Sequence, residues 1–293
     1  MDLHPSALPQ QPEASAAVEV LRPAVHSVPL VFASPHSGRD YSAEFVASAR
    51  LDLHGLRRSE DSFVDELFAA APELGAPLLT AKFPRAFCDV NREAWELDPA
   101  MFEGPLPDWV NTTSARVGAG LGTIARIVAS GETIYRRKLE FAEARARIEG
   151  LWQPFHQALR DLLDETRSRF GRCLLIDCHS MPGMSQPSRE RADIVLGDAH
   201  GTSCAPRVIR RVEDCLTEMG FRVRRNDPYA GGYITRHYGR PREGTHALQI
   251  EICRSIYMDE RRIERLPQFT AVQEGLTGLI RRLVQQGAFL TLD

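Results

Sequence analysis

Apolar residues along this chain gather in short runs separated by stretches of helical spacing. VPLVFAS (Val28–Ser34), PLLTAKF (Pro77–Phe83), AFCDV (Ala86–Val90), CLLIDCHS (Cys173–Ser180), DIVLGD (Asp193–Asp198), FRVRRN (Phe221–Asn226) and HALQIEICR (His246–Arg254) read as strands. Several of them are almost continuously apolar, as strands buried on both faces are. Between them, Phe63, Leu67 and Ala70 share a face just after the small polar residues Ser59 and Asp61, which marks the start of a helix. Residues 133–170 read as helical, with Ile148, Leu151, Trp152, Phe155, Leu159, Leu162 and Leu163 on one buried face and Pro154 kinking or splitting the stretch. Residues 205–219 and 267–287 read as two more helices. Strands alternating with helices predict an α/β fold, a three-layer α/β/α arrangement around a mostly parallel sheet. Residues 94–123, rich in Pro, Gly, Asn and Thr, read as a long ordered loop. With no internal repeat and no linker, residues 26–293 form one expected domain, preceded by a loosely packed arm over 1–25.

Charge narrows the partners. A formal net charge of −3 and the lack of a basic stripe argue against nucleic acid. No run of roughly 18 apolar residues is present, so no membrane span is expected. The N-terminus has neither a basic start nor an apolar core, so no secretory signal is expected and the location is expected to be cytoplasmic. The six cysteines form no C-x-x-C pair, and Cys173, Cys178 and Cys253 sit in apolar runs, which predicts reduced, buried thiols.

The polar chemistry lies where the strands end. In open α/β sheets ligands bind beyond the carboxyl ends of the strands. The first apolar run delivers His36, the long one delivers Asp177 and His179, and the last carries Glu251 inside ALQIEIC. A carboxylate buried among aliphatic residues is costly unless it meets a cation, a donor or a proton. Glu251 is therefore a candidate general base for an attacking water. Zinc hydrolases commonly use three protein ligands. His36 and His179 supply two imidazoles, and Glu60 or Asp61 is placed to supply a carboxylate.

The motifs SPHSG (Ser34–Gly38), SEDSFVDELF (Ser59–Phe68), DVNR (Asp89–Arg92), DCHSMPG (Asp177–Gly183), DIVLGDAHGTSC (Asp193–Cys204), GGYITRHYG (Gly231–Gly239) and HALQIEICRSIYMDE (His246–Glu260) occur in an order that resembles the N-formylglutamate amidohydrolase family over about residues 28–262. The resemblance implies a zinc-dependent exopeptidase-like fold and a Zn2+ site of two histidines and a carboxylate. His36 and His179 match the histidines, Asp61 is preferred to Glu60, and Glu251 matches the base. Arg39 stands where carboxypeptidases of this fold have a glutamate ligand, three residues after the first histidine. The segment DVNR is similar to one in aspartoacylase-like enzymes that binds a substrate carboxylate, which implies that role for Asn91 and Arg92. Arg236, near Gly231 and Gly232 in a segment expected to be mobile, is a second carboxylate clamp, and His237 a candidate oxyanion donor. The implied reaction is hydrolysis of a small-molecule N-acyl amino acid, with N-formyl-L-glutamate as substrate, the final step of one histidine-degradation route. A deacylase or small-peptide hydrolase of other specificity, and a metal-free binding protein, are the alternatives.

Overall fold

The computed structural model describes residues 17–183 and 191–285. Seven strands form the central sheet: β1 (Val18–Leu21), β2 (Leu30–Ser34), β3 (Leu78–Ala81), β4 (Cys173–Met181), β5 (Ile194–Gly197), β6 (Val223–Arg225) and β7 (Thr245–Cys253). Their spatial order is β1-β3-β2-β4-β7-β5-β6. The pairs β3–β2, β2–β4, β4–β7 and β5–β6 are parallel, while β1–β3 and β7–β5 are antiparallel. The sheet is thus mostly parallel, as the unbroken apolar runs predict.

Helices α1 (Ala43–Ser48), α2 (Leu53–Arg57) and α3 (Val64–Leu67) lie between β2 and β3. Helices α4 (Ala115–Gly118), α5 (Phe141–Arg147) and α6 (Gln153–Phe170) lie between β3 and β4. Helix α7 (Pro206–Glu218) joins β5 to β6, α8 (Tyr233–Tyr238) precedes β7, and α9 (Phe269–Gln285) follows it. None of the described helices is long and apolar enough to cross a membrane.

Alternation along the strands separates two cores. Leu174, Ile176 and Cys178 of β4 and Leu248, Ile250 and Ile252 of β7 pack with α3, α7 and α9. Cys173 and Leu175 of β4, with Ala247 of β7, pack on the opposite face against α6 and α8. Burying each of these leucine and isoleucine side chains contributes about 1.5–3 kcal/mol. The same alternation matters for function. Asp177 and His179 of β4, and Gln249 and Glu251 of β7, are odd-numbered, so they share the α6/α8 face at the carboxyl end of the sheet. In register, Asp177 pairs with Gln249 and His179 with Glu251.

Several elements differ from expectation. Val18–Leu21, expected within a loose arm, is an edge strand against β3, while residues 1–16 of that arm lie outside the described residues. Ala86–Val90, expected as a strand, is a chain of turns. Both sides of β3 are taken, by β2 and β1, so no edge is open to it there. Residues 133–140 are not helical; α5 starts only after a capping box between Glu140 and Glu143. A π turn over Ile148–Trp152 joins α5 to α6, and Pro154 sits in the first turn of α6, where its missing N–H is least harmful. All six cysteines are free and buried.

Candidate active site

Three segments converge at the carboxyl ends of β2, β4 and β7. His36 follows β2, and its carbonyl accepts the Asp61 N–H at 3.0 Å, which draws the loop after α2 over the strand end. Phe63 has a left-handed backbone (φ 67°) and ends that loop, so α3 begins only at Val64. Asp61 therefore caps no helix. Its carboxylate turns inward, with Oδ2 3.0 Å from His179 Nδ1 and 3.5 Å from His36 Nδ1.

His36, Asp61 and His179 are all buried, and one donor atom from each lies within 4.8 Å of the others. The two imidazole rings meet edge to face at 4.7 Å. The far nitrogen of each ring is held by a carboxylate: His36 Nε2 is 2.7 Å from Asp89 Oδ1, and His179 Nε2 is 2.9 Å from Asp177 Oδ1. Such partners fix the tautomer and direct the Nδ1 lone pairs at a common point, as they do around metal-bound histidines. His36 Nδ1 has no hydrogen-bond partner although it is fully buried. An orphaned acceptor next to a second imidazole and a carboxylate matches the donor set of a divalent zinc site.

The electrostatics agree. Burial pushes the Asp61 carboxyl up, but His179, His36 and Arg85 outweigh it and hold it well below the usual carboxylate range. Burial likewise opposes charge on His179, yet Asp177 and Asp61 raise it well above its ordinary value. The negative field that favours a proton there favours any cation, and metal binding through Nδ1 displaces that proton.

Glu60, the alternative ligand, faces elsewhere. It accepts bonds from Arg57 Nε at 3.0 Å, Ser62 Oγ at 2.9 Å and the Tyr41 hydroxyl at 3.3 Å. Glu60→Gln is therefore expected to leave the stoichiometry of any metal bound by the triad unchanged while lowering stability by about 1–3 kcal/mol. Elemental analysis and urea unfolding on the one variant check both halves; loss of metal with unaltered stability would move the ligand to Glu60.

Around the triad lies a cavity of about 410 Å³. Glu251 lines it, and its Oε1 accepts a bond from Gln249 Nε2 at 2.7 Å. Burial pushes the Glu251 carboxyl up to about 7; His179 and Arg85 oppose that shift and Asp61 adds to it. A carboxyl poised there both accepts and returns a proton near neutral pH. Arg92 and Arg236 also line the cavity. Arg92 is nearly buried, fixed by Nε to Leu121 O and by Nη1 to Asn91 O, both at 2.8 Å. Asn91 lines the cavity with its amide already engaged: Oδ1 accepts the Ile234 N–H at 2.8 Å, and Nδ2 lies 3.1 Å from His179 Nε2. Gly232 permits this approach, since a Cβ there would stand 2.3 Å from Asn91 Nδ2. Gly232 thus serves close packing of α8 against Asn91.

The structure does not bring His237 to the cavity. It is exposed and stacks on Tyr233 at 4.8 Å, one helical turn back on α8, while Thr235 of the same helix turns inward to bond Asp177. Two arginines that sequence reasoning missed are placed there instead. Arg85 bonds Asp89 through Nη2 at 2.8 Å and lies 3.8 Å from Asp61. Arg254 bonds Asp61 Oδ1 at 2.8 Å and Ser180 Oγ at 3.0 Å. Arg254 directly follows an apolar strand, the same signal that exposed His36; Arg85 carries no comparable mark.

Over residues 28–258 the chain matches the family model described as N-formylglutamate amidohydrolase. It is 31% identical over 238 residues to N-formylglutamate deformylase of Pseudomonas putida, covering 80% of this chain and 83% of that one. The crystal structure of N-formylglutamate amidohydrolase from Ralstonia eutropha JMP134 superposes with a TM-score of 0.87 at 39% identity, over 92% of this chain and 98% of that one. A gene product of Agrobacterium tumefaciens shares the fold at 18% identity, with a TM-score of 0.63 and 94% of each chain covered.

Proposed function

The chain belongs to the N-formylglutamate amidohydrolase family, and from that membership and the site we propose that it hydrolyses N-formyl-L-glutamate to formate and glutamate with a zinc ion. The observation that carries this reading is the juxtaposition of Glu251 with His179 on neighbouring strands, beside a His36–Asp61–His179 donor set, inside a cavity lined with arginines.

His36, Asp61 and His179 would hold the ion, which supplies Lewis acidity that acidifies water and polarises the amide carbonyl. Glu251 takes the proton of the attacking water and delivers it to the departing amine. With His237 outside the cavity, Arg85 is the donor that faces the oxygen as negative charge builds on it; its charge already acts on both Glu251 and Asp61. Arg92 and Arg236 hold carboxylates of the amino-acid part, for which the guanidinium fork is suited. Asn91 supports them by aligning His179 with the start of α8.

Purified protein supplied with Zn2+ is expected to release formate from N-formyl-L-glutamate, to stop after treatment with a chelator, and to recover when zinc is returned. Formate is read with a coupled dehydrogenase. Turnover that persists in full without metal would remove zinc from the reading. Release from other N-acyl amino acids, with none from N-formyl-L-glutamate, would reassign the substrate.

A further inference from the structure

Arg116 lines the same cavity and has no role so far. It lies on α4, inside the long loop over 94–123, and its side chain is exposed at the cavity mouth. The loop is fixed against the site by one residue. The Leu121 N–H donates to Arg116 O at 2.8 Å, and Leu121 O accepts Arg92 Nε at 2.8 Å. These two bonds set the backbone of Arg116 beside the buried guanidinium of Arg92, closely enough that the two charges repel. Three other cations around the cavity are already engaged: Arg85 by Asp89, Arg254 by Asp61, and Arg92 by two backbone carbonyls and by Asp89 Oδ2 at 3.7 Å; Arg236, exposed on α8, is the one other guanidinium of the lining without such a partner among the described residues. Among the described residues Arg116 makes no hydrogen bond or ion pair through its side chain. Asp89 already balances Arg92 in part, whereas Arg116 meets no carboxylate among the described residues, so its charge is left to interact with an anion that enters the cavity.

We infer that Arg116 is a specificity-determining residue that, beside Arg92, binds the side-chain carboxylate of an acidic amino acid in this cavity. The inference rests on the proposed amino-acid amide substrate, but it concerns recognition rather than turnover. Arg116 touches none of the proton-transfer groups or metal-donor residues. Its removal breaks no internal bond, so the variant is expected to fold normally.

The test uses the full-length, zinc-supplied protein and two kinds of probe. Binding of L-glutamate and L-glutamine is measured by calorimetry for the wild type, Arg116→Gln and Arg236→Gln. Hydrolysis of N-formyl-L-glutamate and N-formyl-L-glutamine is measured in parallel. A charge-assisted bond is lost only with the acid, so Arg116→Gln is expected to weaken glutamate about ten- to hundredfold and leave glutamine within about twofold. The ratio of kcat/KM for the two formyl substrates is expected to shift by the same factor, through KM. Equal losses for acid and amide would overturn the inference. So would a wild type that does not discriminate glutamate from glutamine, or discrimination lost in Arg236→Gln but kept in Arg116→Gln. Arg116-dependent discrimination in binding with no formate release would sustain the inference while sinking the proposed reaction.

Discussion

Glu251→Gln is expected to lower kcat by about 10²–10⁴-fold with little change in KM, bound zinc or melting temperature. Glutamine has nearly the same shape and still accepts a bond from Gln249, which now reaches Glu251 Oε1 at 2.7 Å. It cannot take a proton from water near neutral pH. The carboxylate is not one of the three donor atoms that converge on the candidate metal point, so its neutralisation should not release zinc. Three roles separate on this one variant. A general base loses kcat alone. A metal ligand loses zinc as well. A structural ion-pair partner loses stability, with activity falling only as the protein unfolds. Near-normal kcat in folded, zinc-loaded Glu251→Gln would defeat the proposed chemistry.

The second large effect is on the metal itself. His36→Ala and His179→Ala are each expected to lose most bound zinc and with it nearly all activity. Each removes one of two imidazoles from a three-donor site, and no other histidine of the described residues joins that cluster. Asp177→Asn tests the layer behind. Asp177 holds His179 Nε2 at 2.9 Å and is fully buried, so its substitution is expected to weaken zinc about ten- to hundredfold without abolishing binding. Competition against a chromophoric chelator measures all four affinities, and circular dichroism reports folding. The expected order is wild type, then Asp177→Asn, then the two histidine variants. Full zinc occupancy in both histidine variants would place the metal elsewhere.

These two sets of variants also show which parts of the site a linear chain announces. Asp177 with His179, and Gln249 with Glu251, lie two residues apart in apolar strands, so local geometry alone puts each pair on one sheet face. His36 stands directly after another apolar run. A buried run interrupted by polar groups at its carboxyl end is visible because the cost of burying them is paid locally. The mostly parallel sheet was legible for the same reason, since continuous apolar runs need cover on both faces. The resemblance in ordered motifs then supplied the chemistry that patterning does not carry.

Tertiary structure decided the rest. Asp61 and Glu60 are adjacent, yet one meets His179 across 118 positions of sequence while the other turns to Arg57. The left-handed Phe63 and the bond from Asp61 N–H to His36 O make that choice, and neither is written in a local pattern. Asp89 and Arg85 lie in or beside an apolar run that reads as a strand but folds as turns, so its pattern says nothing of where their side chains go. The β1 strand is short and half exposed, so only its pairing with β3 reveals it. Arg236 and His237 are the sharpest case. Neighbours on a helix point about 100° apart, so one lines the cavity and the other does not. Sequence places both on the same short segment, but the rotation of α8 is set by Thr235 bonding Asp177 and by Ile234 N–H bonding Asn91. Those contacts join parts of the chain 58 and 143 residues apart, and only the folded chain brings them together.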